Sequence, residues 1–248
     1  MKSKFSFRMM LWSLMILLCL GKGITYNCFA EGLSKKDDTT VSDIIDVDDD
    51  TSEQSIAKKL AKELIGTAAQ AEPEVTAVLQ SLESENVRLV GLEHRIKSEE
   101  SLTRKILSDA HDMEVSPEEA ASVIGDVLRY TFCIEEDQYV PIVDKVLRTL
   151  NENHMQVVKF KNRWGSEGYK GINTNLKTGN GFLFELQLHT PASFEAKELE
   201  HENYEIARSE TATEEERIAA EKYAKEIYAK VPVPEGSPEY VWEIQTEK

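Results

Sequence analysis

Glu185, Gln187 and His189 occupy alternate positions of Phe182-Leu-Phe-Glu-Leu-Gln-Leu-His189, which sets a carboxylate, an amide and an imidazole in one row. Side chains of a strand alternate between its faces, so Phe182, Phe184, Leu186 and Leu188 fall together on the other. The apolar face suits a core. The polar face suits acid–base chemistry or plain solvation, and the alternation alone does not separate the two. The whole stretch Gly168–Thr190 reads as two extended segments joined by a glycine-rich turn around Gly179 and Gly181.

Three other groups have chemistry in their spacing. In Arg95-Ile-Lys-Ser-Glu-Glu-Ser-Leu-Thr-Arg-Lys105, Arg95 and Lys97 precede Ser98, a good helix N-cap, and Ser101 and Lys105 share a helix face. Cations thus line the approach to a helix N-terminus whose free N–H groups favour anions. A salt-bridged helix face is the plainer alternative. Lys159, Lys161 and Arg163 alternate, so at a strand end they would point the same way. Asp126 opens a predicted strand and Glu185 sits within another. If those strands are neighbours, two carboxylates converge, which costs energy unless a cation joins them. Mg²⁺ is the natural cation where carboxylates meet phosphates. Two anion-binding patches and a carboxylate pair together suit Mg²⁺-assisted phosphate transfer.

Other phosphate and metal chemistries are not supported. The chain has no Gly-x-x-x-x-Gly-Lys-Ser/Thr loop and no Cys/His zinc set. The pair His111-Asp112 lacks the companion His and Asp of a metal-dependent phosphohydrolase.

The elements that must position these residues can be read in chain order. Lys2, Lys4 and Arg8 precede the apolar run Met9–Leu20 and a stretch to Ala30 whose one charge is Lys22, the order of a secretory signal peptide over residues 1–30. The segment carries four basic residues and no acid, so the remainder holds 25 basic against 45 acidic residues, a net charge of −20. Such a chain is repelled as a whole by nucleic acid and anionic membranes. Removal of the segment leaves Cys133 as its one cysteine, so no internal disulfide forms and a core must hold the fold. Residues 31–54, rich in aspartate and without aromatics, read as an acidic disordered linker.

Helical periodicity is predicted over 55–71 and, opened by Pro73, over 73–92. Helices follow from Ser98 to about Ala110 and from Pro117 to near Gly125. A strand over 126–135, a helix over 139–153 and a strand over 154–160 lead into the Gly168–Thr190 pair. Pro191 begins a helix to about Arg208, and Thr213 caps another to about Lys230. The expectation is a single domain over 55–248, α+β, with a mixed central β-sheet flanked by helices.

Arg95-x-Lys97-x-x-x-Ser101-x-x-x-Lys105, Asp126 at a strand start, Lys159-x-Lys161, Gly168-Tyr169-x-x-Ile172, Glu185-x-Gln187 and Leu199-Glu-His201 resemble, in order, the synthetase domain of RelA/SpoT-type alarmone synthetases. The resemblance covers about residues 85–208. Asp126-Val-Leu-Arg-Tyr-Thr131, Lys161-Asn-Arg-Trp164 and Leu188-His-Thr-Pro191 are closer still to secreted nucleotide 3′-pyrophosphokinases, and related domains occur in toxins. The resemblance implies transfer of pyrophosphate from ATP to the 3′-OH of a purine nucleotide, with release of AMP. Arg95, Lys97, Ser101 and Lys105 would hold the ATP phosphates. Asp126 and Glu185 would hold Mg²⁺, and Glu185 would also accept the 3′-OH proton. Tyr169 would stack on the acceptor base, with Lys159, Lys161, Arg163, Asn173, Gln187 and His189 completing the acceptor side.

The departures from the family lie on that acceptor side. Thr131 stands where cellular synthetases usually have Arg, Asn173 where they have His, and His189 where they have Arg. Adenine and guanine nucleotides are both candidate acceptors, and so is a tRNA 3′ end, although the negative charge disfavours RNA. A degenerate extracellular nucleotide-binding module is the non-enzymatic alternative, opposed by the intact Arg95, Lys97, Asp126, Tyr169 and Glu185.

Overall fold

Five strands form one mixed sheet in the order β1-β2-β5-β4-β3. They are β1 (Val87–Val90), β2 (Arg129–Ile134), β3 (Gln156–Asn162), β4 (Ile172–Lys177) and β5 (Leu183–His189). Only β2 and β5 run parallel; the other neighbours are antiparallel. The helices are α1 (Glu53–Gln80), α2 (Glu99–Met113), α3 (Pro117–Ser122), α4 (Tyr139–Glu152), α5 (Pro191–Arg208) and α6 (Glu214–Tyr228). The computed structural model describes residues 52–208 and 212–244. The expected signal peptide and the linker up to residue 51 lie outside the described residues. The expected α+β architecture with a mixed sheet is the one observed.

Local chemistry explains most of the element starts. Ser52, Ser98, Ser116 and Thr213 cap α1, α2, α3 and α6 by accepting a backbone N–H from three residues on. At Ser116 and Thr213 a glutamate at the third helical position completes the box by reaching back to the cap N–H.

Four elements differ from expectation. Pro73 lies inside a single helix, α1, and opens none. An interior proline costs roughly 3 kcal/mol, but it is followed by Val75 and Leu79, both fully buried. Their burial, roughly 1.5–3 kcal/mol each, offsets the lost hydrogen bond. Val87–Val90, read as the end of that helix, is instead an edge strand paired with β2, Val87 opposite Ile134 and Val90 opposite Thr131. Asp126 does not open β2, which begins at Arg129. β3 starts at Gln156, two residues beyond the predicted His154.

The two faces of the sheet carry different chemistry. Tyr130, Phe132, Phe184, Leu186, Leu188, Ile172 and Leu176 belong to the main core, which also takes in Val143, Val146, Leu147 and Leu150 of α4 and Val75 and Leu79 of α1. Two hydroxyls tie this side together. Tyr139 donates to the Leu188 carbonyl at 2.7 Å, and Tyr130 meets Thr76 of α1 at 2.5 Å. The opposite face is polar, and register fixes its rows: Arg129–Glu185–Asn175–Lys159 and Thr131–Gln187–Asn173–Lys161.

That polar face is not solvated around β5, where Glu185, Gln187 and His189 are all buried. α5 roofs it. Thr190 and Ser193 bond reciprocally at the helix start, the Thr190 N–H to Ser193 Oγ at 2.9 Å and the Ser193 N–H to Thr190 Oγ1 at 3.2 Å. This fixes the direction in which α5 leaves β5, with Ser193, Ala196, Lys197 and Glu200 buried at helical spacing. Beyond α6, the tail is bound to β3 by the Asn162 amide, which donates to the carbonyls of Ser237 (2.6 Å) and Tyr240 (2.9 Å).

Burial alone pushes the Glu200 carboxyl from its ordinary 4.5 up to about 7. In the window between those values the folded chain binds more protons than the unfolded one, so this group lowers stability as pH rises through it. Glu200→Gln should therefore gain stability over the parent as pH rises from 4 to 8, with the difference vanishing at acid pH. Thermal midpoints across that range check it.

Candidate active site

One end of the candidate site is built by a short antiparallel contact outside the named strands. Ile96 bridges Leu128, the Lys97 N–H donates to the Val127 carbonyl at 3.0 Å, and the Arg129 N–H donates to the Arg95 carbonyl at 2.7 Å. The Lys97 ammonium is thereby set 2.9 Å from Asp126 Oδ2, with both side chains buried. Lys105, from the second turn of α2, lies 3.3 Å from Asp109 Oδ2 and 4.0 Å from Asp126 Oδ1.

Burial would raise the Asp126 pKa, but Lys97, Lys105 and Arg129 together hold it well below the usual carboxylate range. Burial lowers the Lys97 ammonium, and Asp126 opposes that shift. Asp109, with burial dominant, is pushed up to about 6.

Asp126 Oδ1 and Asp109 Oδ1 are buried with no hydrogen-bond partner. An orphaned carboxylate oxygen beside ammonium groups is suited to a divalent cation that arrives with its own phosphates. Among the described residues, no three His, Cys, Asp or Glu side chains form a metal cage. Nucleotide-bound Mg²⁺ needs only one or two carboxylates, and Asp126 with Glu185 fits that requirement. Glu185 is raised by burial, opposed by Arg129 and reinforced by Asp126, which places the two carboxylates in one electrostatic environment.

Two hydrogen-bond chains cross the polar face. In one, Lys197 of α5 donates to Gln187 Oε1 at 3.2 Å, and Gln187 Nε2 donates to Glu185 Oε2 at 2.9 Å. In the other, His189 Nδ1 lies 2.9 Å from Ser193 Oγ and its Nε2 lies 2.7 Å from the Tyr169 hydroxyl, which donates to Asn173 Oδ1 at 2.7 Å. Burial, helped by Lys197, holds His189 neutral. A neutral imidazole has one donor and one acceptor nitrogen. The single Tyr169 proton goes to Asn173, so Nε2–H donates to Tyr169 and Nδ1 is left as an acceptor, which shares the one Ser193 hydroxyl proton with the Thr190 carbonyl at 3.2 Å.

The predicted residues divide between these arrangements and others. Lys97, Lys105, Asp126, Glu185 and Gln187 converge, and Ser101 is buried in the first turn of α2. Arg95 turns towards α1, its Nε 2.5 Å from Glu72 Oε1 and its guanidinium 2.6 Å from the Leu92 carbonyl. Lys159 is exposed, whereas Lys161 and Arg163 are half-buried. Burial, Lys159 and Arg163 lower the Lys161 pKa, while Glu185 acts to raise it, so Lys161 shares the field of the carboxylate. Tyr169 meets the rings of His189 (5.3 Å) and Tyr228 (5.9 Å) edge-on.

The chain matches no family model and no curated protein sequence. The solved structures it resembles include alarmone synthetases and an effector. The type VI effector Tas1, solved with its immunity protein, is 22% identical and aligns over 69% of this chain and 95% of its own with a TM-score of 0.45. Small alarmone synthetase 1 from Bacillus subtilis is 18% identical over 68% of this chain and 90% of its own, TM-score 0.48. A GTP pyrophosphokinase family protein from Streptococcus pneumoniae is 16% identical over 69% and 87%, TM-score 0.46.

Sequence reasoning missed Asp109, Arg129, Ser193, Lys197 and Tyr228. Two spacings hold the signal for three of them: Asp109 lies four residues after Lys105, and Lys197 four after Ser193. Arg129 is paired with Glu185 by the parallel register of β2 and β5, which no local pattern reveals.

Gly171 sits behind the His189 chain with φ +146°, and a Cβ there would lie 3.1 Å from His189 Cε1 and 3.2 Å from the Leu188 carbonyl. Gly171→Ala should destabilise the fold by about 1–3 kcal/mol through backbone strain and displace the imidazole. Denaturant titration gives the first effect, and the ring proton shifts of His189 give the second.

Proposed function

We propose that this protein is an exported nucleotide pyrophosphokinase, moving the pyrophosphate of ATP to the 3′-OH of a purine nucleotide and releasing AMP. The observation that carries the proposal is Asp126, buried between Lys97 and Lys105 with one oxygen unsatisfied, in the same electrostatic environment as Glu185. Pyrophosphoryl transfer needs cations around the donor phosphates and a carboxylate beside the attacking hydroxyl. This cluster supplies both.

In this reading Lys97 and Lys105 grip the donor phosphates, aided by Ser101 and the α2 N-terminus. Asp126 and Glu185 would hold Mg²⁺, which would neutralise phosphate charge. Glu185 receives the proton as the 3′-oxygen bonds to the β-phosphorus, and the bond from that phosphorus to the α,β-bridging oxygen breaks to free AMP. Arg95, committed to Glu72, acts on the donor only if that ion pair exchanges. Lys159 and Lys161 of β3, with Arg163 just after it, approach the acceptor phosphates. The edge of Tyr169 and the amide of Asn173 face the acceptor base. Thr131, Asn173 and His189 make adenine nucleotides candidate acceptors alongside guanine nucleotides.

Incubating the chain without residues 1–30 with labelled ATP, Mg²⁺ and AMP, ATP or GTP as acceptor should yield AMP and a 3′-pyrophosphorylated product. No AMP release with any acceptor would refute the reading. Glu185→Gln should lower turnover at least 100-fold, a general base being worth about 10²–10⁴, with an unchanged circular dichroism spectrum.

A further inference from the structure

Lys197 is 1% exposed, on the inward face of α5. Lysine is almost never buried to this extent without an anionic partner. Among the described residues the nearest carboxylate, Glu198 Oε1, is 3.8 Å away on a side chain half exposed to solvent. The ammonium instead donates to a neutral group, Gln187 Oε1, at 3.2 Å, with the ring of Phe194 at 5.1 Å. Its burial and the nearby Arg129 bring its pKa down to about 8. An ion held in so unfavourable a place calls for a role.

The role follows from which groups can donate. An ammonium has three donors and no acceptor, so the oxygen end of the Gln187 amide must face Lys197. The amide is planar, so its Nε2 then points the other way, towards Glu185 Oε2 at 2.9 Å. That nitrogen only donates, so Oε2 must offer a lone pair and cannot carry a proton along that bond. An oxygen that already accepts this hydrogen bond is the less basic of the two, so the proton leaving a 3′-hydroxyl is directed to Oε1. Without Lys197, the broad terminal torsion of glutamine lets the amide turn over and set oxygen against oxygen at Glu185. Lys197 itself has no contact with the carboxylate.

Accepting the reading of Glu185 as the base, we propose that Lys197 is a positioning residue that acts through the Gln187 amide to fix which oxygen of Glu185 takes the 3′-hydroxyl proton. As the O–H bond breaks, the proton passes to Oε1, the oxygen bonds to the β-phosphorus, and AMP departs with the electrons of the bridging P–O bond. The ammonium is neither consumed nor moved.

Two readouts on the full chain test this, one of them independent of turnover. In ¹⁵N-labelled protein, the Gln187 side-chain amide should give two resolved, exchange-protected proton signals. Lys197→Met, close in shape but with no donor, should shift them and abolish the protection, whereas Lys197→Arg, which also only donates, should keep them. In kinetics, Lys197→Met should lower kcat about tenfold or more and leave KM for ATP within twofold, and Lys197→Arg should recover most of the loss. Gln187→Met, which removes the intermediary, should show the same kcat loss, and it serves if Lys197→Met does not fold. An unchanged Gln187 amide in Lys197→Met, or undiminished kcat in either methionine variant, overturns the proposal. A wild-type protein without turnover overturns the pyrophosphokinase reading instead, and the amide signals still decide whether Lys197 orients Gln187.

Discussion

The buried pair of Lys97 and Asp126 is the constraint on which the rest of the structure depends. Removing two charges from water costs several kcal/mol each, and deleting one partner of such a pair costs roughly 3–5 kcal/mol because the other is stranded. The pair is possible because residues 95–97 lie against 127–129 through two backbone hydrogen bonds. That contact also brings Arg129 into β2, opposite Glu185. A single ion pair therefore couples the start of α2, the start of β2 and the middle of β5.

Lys97, Lys105 and Arg95 each already have an anion or a carbonyl. Lys97 has Asp126, Lys105 has Asp109, and Arg95 has Glu72 and the Leu92 carbonyl. In a chain so acidic, resident carboxylates occupy these cations, and on the proposed reading the phosphates of ATP would have to displace them. Ligand binding at such a site is an exchange of partners. Its affinity then depends on how loosely the resident carboxylates hold, and Asp109, whose pKa burial raises, holds Lys105 the less firmly as it takes up a proton.

The alternation in β5, the Ser98 cap and the lysine spacing in α2 were all legible in the sequence, because each is set by local geometry with a fixed period. Period two separates the faces of a strand but says nothing about what covers them, so the alternation of Glu185, Gln187 and His189 carried no sign that α5 closes over the row. Lys197 was illegible for a related reason. Between Glu195 and Glu198 it looks like any solvent-facing helix lysine, and only the reciprocal bonds of Thr190 and Ser193 turn it inward. Helical spacing through Val87 hid β1, whose four residues become a strand only when β2 is there to pair with. Arg95 lies just before the Ser98 cap, as its position in the chain requires, but the direction of its side chain is decided by Glu72, 23 positions away.

The strand order has a consequence in time as well as in space. β5 lies between β2 and β4, so Arg129 and Glu185 meet only after a segment of more than fifty residues has folded back, and α5 closes the polar face later still in chain order. Loops of that length close slowly, and parallel pairing is slow to form. No amino-terminal portion holds both carboxylates in place. A chain kept extended holds Asp126 and Glu185 apart, and they come together only once the last helices dock.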